Sequence, residues 1–148
     1  MKETEVRDFT HDDFDAWYPL WRGYQAFYKA DIPVETSRVT WARLLNQAEP
    51  MHGTFATADG RPVGIVHYIE HRSCWTVGNY CYLQDLFVEP ELRGTGLGRK
   101  LIEHVYAWAR GAGCSRVHWL THESNTEAMK LYDRIADRSG FVQYRKML

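Results

Sequence analysis

The sequence is poor in several things, and each shortage excludes a class of protein. Its three cysteines, Cys74, Cys81 and Cys114, are few for 148 residues, odd in number and without C-x-x-C spacing. That excludes a disulfide framework and a cysteine-based zinc site, and it fits a reducing, cytoplasmic compartment. No apolar run approaches the length of a membrane span, and the charged N-terminus, Met1 to Asp8, has no apolar signal-peptide core. Charge of one sign is lacking too: 18 Lys and Arg against 19 Asp and Glu leave a net charge of -1. Such a chain has no general field with which to draw nucleic acid or an anionic membrane. Internal repeats, low-complexity tracts and linkers are absent. One domain over residues 1–148 is expected, long enough to bury a core unaided.

What is present is a regular alternation of elements. Val6 to Phe9 reads as a first strand, and Thr10 to Asp13 offers helix caps. Phe14, Trp17, Trp21, Tyr24 and Tyr28 then recur at helical steps as one aromatic stripe, interrupted by Pro19 and Gly23. The stripe is expected to be core, with a Pro19 kink as the route by which Trp21, Tyr24 or Tyr28 would wall an acceptor pocket. Ser37 to Gln47 reads as a second helix with Val39, Leu44 and Leu45 inward. Gly53–Ala58 and Val63–Ile69 flank Asp59-Gly60, a strong hairpin signal. A strand over Asn79 to Val88 leads into a glycine-rich segment and a helix from Leu97 to Arg110. Arg116 to Thr121 reads as a buried strand. Ser124-Asn125-Thr126-Glu127 reads as a capping box opening a helix, and Phe141 to Lys146 as a last strand. The expected order is β-α-α-β-β-β-α-β-α-β, an α+β fold with a central mixed, mostly antiparallel sheet flanked by helices.

The segment Arg93-Gly94-Thr95-Gly96-Leu97-Gly98 joins a strand directly to a helix. The first N–H groups of a helix have no intrahelical acceptor and lie at the positive end of its dipole, which suits a phosphate. The spacing G-x-G-x-G is not the dinucleotide fingerprint G-x-G-x-x-G, and no G-K-[ST] ending makes it a P-loop.

This segment matches the R/Q-x-x-G-x-G/A motif of the GNAT superfamily of N-acetyltransferases. The strand Tyr82 to Val88, the helix from Leu97, and Asn125-x-x-Ala128-x-x-Leu131-Tyr132 before Gly140-Phe141 fall at the spacing that family shows. Over roughly its second half the chain resembles the branch with histone, polyamine and amino-acid acetyltransferases. The first half resembles the family only in the order of its elements.

The resemblance implies a GNAT-like fold and acetyl-CoA as donor substrate. It implies that Arg93, Gly94, Thr95, Gly96, Leu97, Gly98 and Arg99 hold the CoA pyrophosphate, and that the backbone of Leu86, Phe87 and Val88 pairs with the pantetheine and faces the oxyanion. Asn125 would hold the pantetheine arm and Tyr132 would be the general acid. In related polyamine enzymes a glutamate fills the position of Gln84 and acts as base. An amide cannot accept that proton, so here Gln84 is expected to orient a water or the amine, with the proton passing toward Asp85 or Glu123. Strand alternation alone sends Asp85 to the face opposite Gln84, unless a bulge of the kind the family has intervenes.

Seven histidines do not add up to a metal site. His67 and His71 share a strand face, as do His118 and His122, but no carboxylates or thiolates join them at ligand spacing, so no metal is expected. The acceptor expected is a small cationic primary amine, polyamine or amino-acid like, with Trp21, Tyr24, Tyr28, Asp31 and Glu35 as candidate contacts. The alternatives are a protein or histone lysine and a non-catalytic acyl-CoA-binding module. No nucleic-acid or membrane partner is expected, and the resemblance implies a homodimer.

Overall fold

A computed structural model of the chain describes residues 2–148. Strand β1 (Thr4–Asp8) is followed by helices α1 (Phe14–Phe27) and α2 (Val34–Leu45), and then by strands β2 (Met51–Ala58), β3 (Arg61–His71) and β4 (Tyr80–Val88). A short 3-10 turn, Pro90–Leu92, precedes α3 (Leu97–Gly111), β5 (Arg116–His118) and α4 (Thr126–Ile135). The sheet runs in the order β1-β2-β3-β4-β5, antiparallel except for the β4–β5 pair. The β2–β3 hairpin turns at Asp59 and Gly60, both at positive φ (49° and 80°), as a tight hairpin turn matching strand twist demands.

Two cores lie on opposite faces of the sheet. On one, Trp17, Trp21, Trp41 and Leu44 from α1 and α2 pack with Phe55, Ile65 and Phe87. On the other, Leu97, Leu101, Ile102 and Val105 from α3 pack with Val63, Val66, Tyr68, Leu83 and Val88. Leu131, Tyr132 and Ile135 of α4 pack partly against this second core.

Several sequence expectations are corrected. Pro19 and Gly23 do not interrupt α1, which runs through both. A Cβ on Gly23 would lie 2.6 Å from Cζ of Phe87, so glycine lets the helix approach β4. Helix α2 begins at Val34, directly after Pro33, and turns Ser37, Trp41 and Leu44 inward; Val39 is exposed. Asp13 occupies the N-cap position of α1, yet its carboxylate accepts hydrogen bonds from Arg7 and Thr10 rather than from the helix. The capping box does not form: Asn125 is the N-cap residue of α4, and Ser124 Oγ pairs with His122 Nδ1.

Strand β5 is three residues long and half-buried, ending at His118 rather than Thr121. The last strand is not formed. Phe141 to Lys146 has strand-like composition, but no sheet edge of this chain pairs with it, and Phe141, Val142 and Tyr144 face solvent. The order is therefore β-α-α-β-β-β-α-β-α, still α+β around a mixed sheet.

Candidate active site

The site begins with an irregularity in β4. His67 on β3 stands opposite Asp85, and its neighbour Tyr68 stands opposite Leu83, so Gln84 has no cross-strand partner. This is a β-bulge, and it shifts the side-chain alternation by one. Before it, Cys81 and Leu83 enter the α3-side core; after it, Leu86 and Val88 do. Gln84 and Asp85 consequently face the same way. Both line a cavity of about 200 Å³ between the sheet and α1 and α2, with apolar walls from Trp21, Ile32, Met51 and Ile69 and hydroxyls from Thr36 and Thr40.

Asp85 is only 7% exposed. Its Oδ2 lies 2.9 Å from Nδ1 of His67, and Nε2 of His67 lies 3.0 Å from the indole nitrogen of Trp17. Burial, reinforced by the charge of Asp85, pushes the phenol of Tyr24 well above the ordinary tyrosine range. The same two causes, in the same order, raise Tyr28 and Tyr82. The charge of Asp85 thus acts on three phenols, Tyr24 of α1, Tyr28 just after it and Tyr82 of β4.

Beside this cavity the sheet opens. Strands β4 and β5 pair only at Tyr80–Arg116, Cys81–Val117 and Tyr82–His118. From Leu83 to Val88 the edge of β4 has no strand beside it. Tyr132 comes to this opening from the α4 side, edge-on to Trp119 with ring centroids 5.3 Å apart. Its phenol is pushed up to about 12, first by burial and then by Tyr28. The phenol of Tyr28 is in turn raised by burial and then by Asp85. Asn125, at the start of the same helix, donates its amide to Thr121 Oγ1 at 3.1 Å.

At the C-terminal end of β4 the glycine segment wraps the first turn of α3. Gly94 and Gly96 have φ of +79° and +89°, which only glycine adopts without strain, and a Cβ on Gly94, Gly96 or Gly98 would meet nothing within 4 Å. No side chain caps α3. The leading N–H groups of the helix thus open onto free space, the fit a diphosphate requires. The model of the acetyltransferase (GNAT) family matches residues 7–136.

The chain belongs to the GNAT family. It is an acetyl-CoA-dependent N-acetyltransferase. Similar proteins include a D-amino-acid N-acetyltransferase of Saccharomyces cerevisiae, 37% identical over 143 residues and covering 95% of this chain and 89% of the relative. A thialysine N-epsilon-acetyltransferase of Caenorhabditis elegans is 33% identical over 138 residues, covering 91% and 83%. The fold is that of an aminoglycoside N-acetyltransferase solved in complex with CoA, with a TM-score of 0.83, 20% identity and coverage of 100% of this chain and 97% of that one.

Not every anticipated residue of this GNAT chain reaches the site. Arg93 donates Nε to the carbonyl of Val88 at 3.0 Å and lies over the rings of Phe27 and Phe87, so it ties β4 to α1. Arg99 pairs with Glu103 at 2.7 Å on the helix surface. Glu123 and Glu35 are exposed, and Asp31 pairs with Arg22 outside the cavity. The cavity carboxylate is Asp85 alone among the residues that line it. His67 and Trp17 were not legible as site residues, because their link to Asp85 depends on the register of β3 against β4. Thr36, Thr40, Met51 and Ile69 were hidden for the same reason.

Proposed function

We propose that this acetyltransferase acts on a small cationic primary amine, amino-acid or polyamine like, by direct attack on the acetyl thioester. The observation that carries the reading is the buried carboxylate of Asp85 in a cavity of about 200 Å³, a volume suited to a small amine rather than to a folded protein surface. An ammonium group fits beside Asp85, its arm along Trp21, Ile32 and Ile69. The two relatives named for D-amino acids and thialysine support an amine of this size.

An alkylammonium with a pKa near 10.4 is about a thousandth neutral at physiological pH, a cost of roughly 4 kcal/mol. Asp85 is the base that lowers it, and the Gln84 amide orients the amine or an intervening water. As the N–C bond forms and the C–S bond breaks, a backbone N–H on the open edge of β4, from Phe87 or Val88, faces the carbonyl oxygen. Tyr132 gives its phenolic proton to the departing sulfur and recovers it from solvent. The peptide groups of Gly94 to Gly98 and the start of α3 hold the diphosphate of the donor, and Asn125 borders its arm.

The test is thiol release from acetyl-CoA against polyamines, D- and L-amino acids, ω-amino acids and lysine-containing peptides. Small amines are expected to support release and internal peptide lysines to support far less. Tight CoA binding without release for any acceptor would overturn the reading in favour of a binding module.

The implied homodimer has a candidate surface as well. Phe141, Val142, Tyr144 and Met147, between 75% and 93% exposed, are apolar side chains close together in sequence that water leaves unsatisfied. A second copy of the chain is the partner we infer. Light scattering of the wild type should give twice the chain mass, and Phe141→Asp with Tyr144→Asp should give the chain mass itself.

A further inference from the structure

His67 sits between two partners of opposite demand. The indole N–H of Trp17 can only donate, so Nε2 of His67, 3.0 Å away, must accept and carries no proton. The ring proton of the neutral imidazole is therefore on Nδ1, which donates to Oδ2 of Asp85 at 2.9 Å. Trp17, His67 and Asp85 are 0%, 3% and 7% exposed, so both bonds lie away from bulk solvent.

We propose that His67, held by Trp17 as the Nδ1–H tautomer, is a positioning residue that fixes the Asp85 carboxylate and keeps a full negative charge in the acceptor cavity. The inference rests on the reading of Asp85 as base. It has two consequences. Protonating Nε2 would set two N–H donors against each other, so the imidazole stays uncharged and does not cancel the charge that attracts the ammonium. It also follows that the proton Asp85 takes from the amine cannot pass through His67 into the core, since Nδ1 already carries one and Nε2 is closed. That proton leaves from the cavity side of Asp85, where Oδ1 remains available. His67 orients the base without relaying its proton.

The titratable groups facing the pair are Tyr82 on β4 and Tyr24 and Tyr28 on α1, all raised above the ordinary phenol range by burial and then by Asp85. Trp21 and Phe9 complete the shell around His67 as uncharged rings. These phenols keep their protons between about pH 5 and 9, so none of them changes the charge around the pair over that range.

The direct test is the nitrogen NMR spectrum of the wild-type protein labelled at histidine. His67 should show a protonated-type Nδ1 and an unprotonated-type Nε2 throughout that range; the opposite tautomer would overturn the proposal. The functional test is Trp17→Phe, which frees Nε2 to take a proton. Its kcat/KM for the amine should equal that of the wild type at alkaline pH and fall progressively below it as the pH drops from about 9 to about 5. His67→Asn, whose amide still donates toward Asp85, should add no acid limb, and combining it with Trp17→Phe should remove the new one. The KM for acetyl-CoA serves as the check on folding in each variant. A pH-independent ratio between Trp17→Phe and wild type would overturn the positioning role while leaving Asp85 as base. Wild-type turnover in Asp85→Asn would instead overturn the base, and the positioning role with it.

Discussion

Gln84 and Asp85 are consecutive in a β-strand and yet face the same cavity. In a regular strand one of them would be buried against α3. The bulge thus turns both the amide of Gln84 and the carboxylate one residue further on toward the cavity that the proposed acceptor would occupy.

Tyr132→Phe should lower turnover at least about tenfold, since it removes the donor to the leaving thiolate while keeping the ring. CoA affinity should change little, and steady-state kinetics with a direct CoA binding measurement separates the two. The phenol is held at about 12, so it keeps its proton through the physiological range and well above it. Any alkaline fall in the wild-type rate below about pH 11 should therefore survive in the Phe variant.

Gly96 and Gly98 should answer differently to alanine. Gly96 is left-handed, so Gly96→Ala should cost about 1 kcal/mol of stability as well as donor affinity. Gly98 has no such backbone demand, and its added methyl would point into open space. Gly98→Ala should keep or slightly raise the thermal midpoint, since alanine is the better helix former, while raising the KM for acetyl-CoA. An unchanged KM would mean that the diphosphate does not lie over Gly98.

Gly23→Ala should destabilise the fold by about 1–3 kcal/mol, through collision of the new methyl with the Phe87 ring. Chemical denaturation gives the value directly. The ring is hemmed in by the core and by Arg93 above it, which closes the way it would otherwise yield.

Asp13 should make stability depend on acid. Its hydrogen bonds to Arg7, opposed by burial and assisted by Thr10, hold its carboxyl at about 2, below the ordinary 3.8. A depressed folded pKa means stability fully present above pH 3.8 and lost as the pH falls through about 2. With the Arg7 side chain 42% exposed, screening limits the effect to about 1 kcal/mol. The difference in midpoint between wild type and Asp13→Asn, followed from pH 7 downward, should shrink over that window.

The parts of the chain that were readable are those whose signals are local. Gly94 to Gly98, the period of Leu97 to Ala109 and the Asp59-Gly60 turn each act within a few residues, and each stands where the sequence puts it. What the sequence did not carry is registration. The pairing of His67 with Asp85, and the loss of a partner for Gln84, follow from how β3 aligns with β4. The strand expected at Phe141 is not formed although sheet edges are open: a composition suited to a sheet is not by itself a pairing, and Phe141 to Lys146 pairs with none of them. The helix cap at Ser124 failed because His122 offered its hydroxyl a nearer partner.

The bulge also bears on how such an enzyme changes its substrate. Every other residue of β4 from Tyr80 to Val88 is matched to a residue of β3, and altering one disturbs a pair. Residue 84 answers to no counterpart across the ladder, yet it lines the cavity proposed for the acceptor. An exchange of amide for acid at that one position would therefore change the chemistry of the cavity without disturbing a cross-strand pair of the sheet.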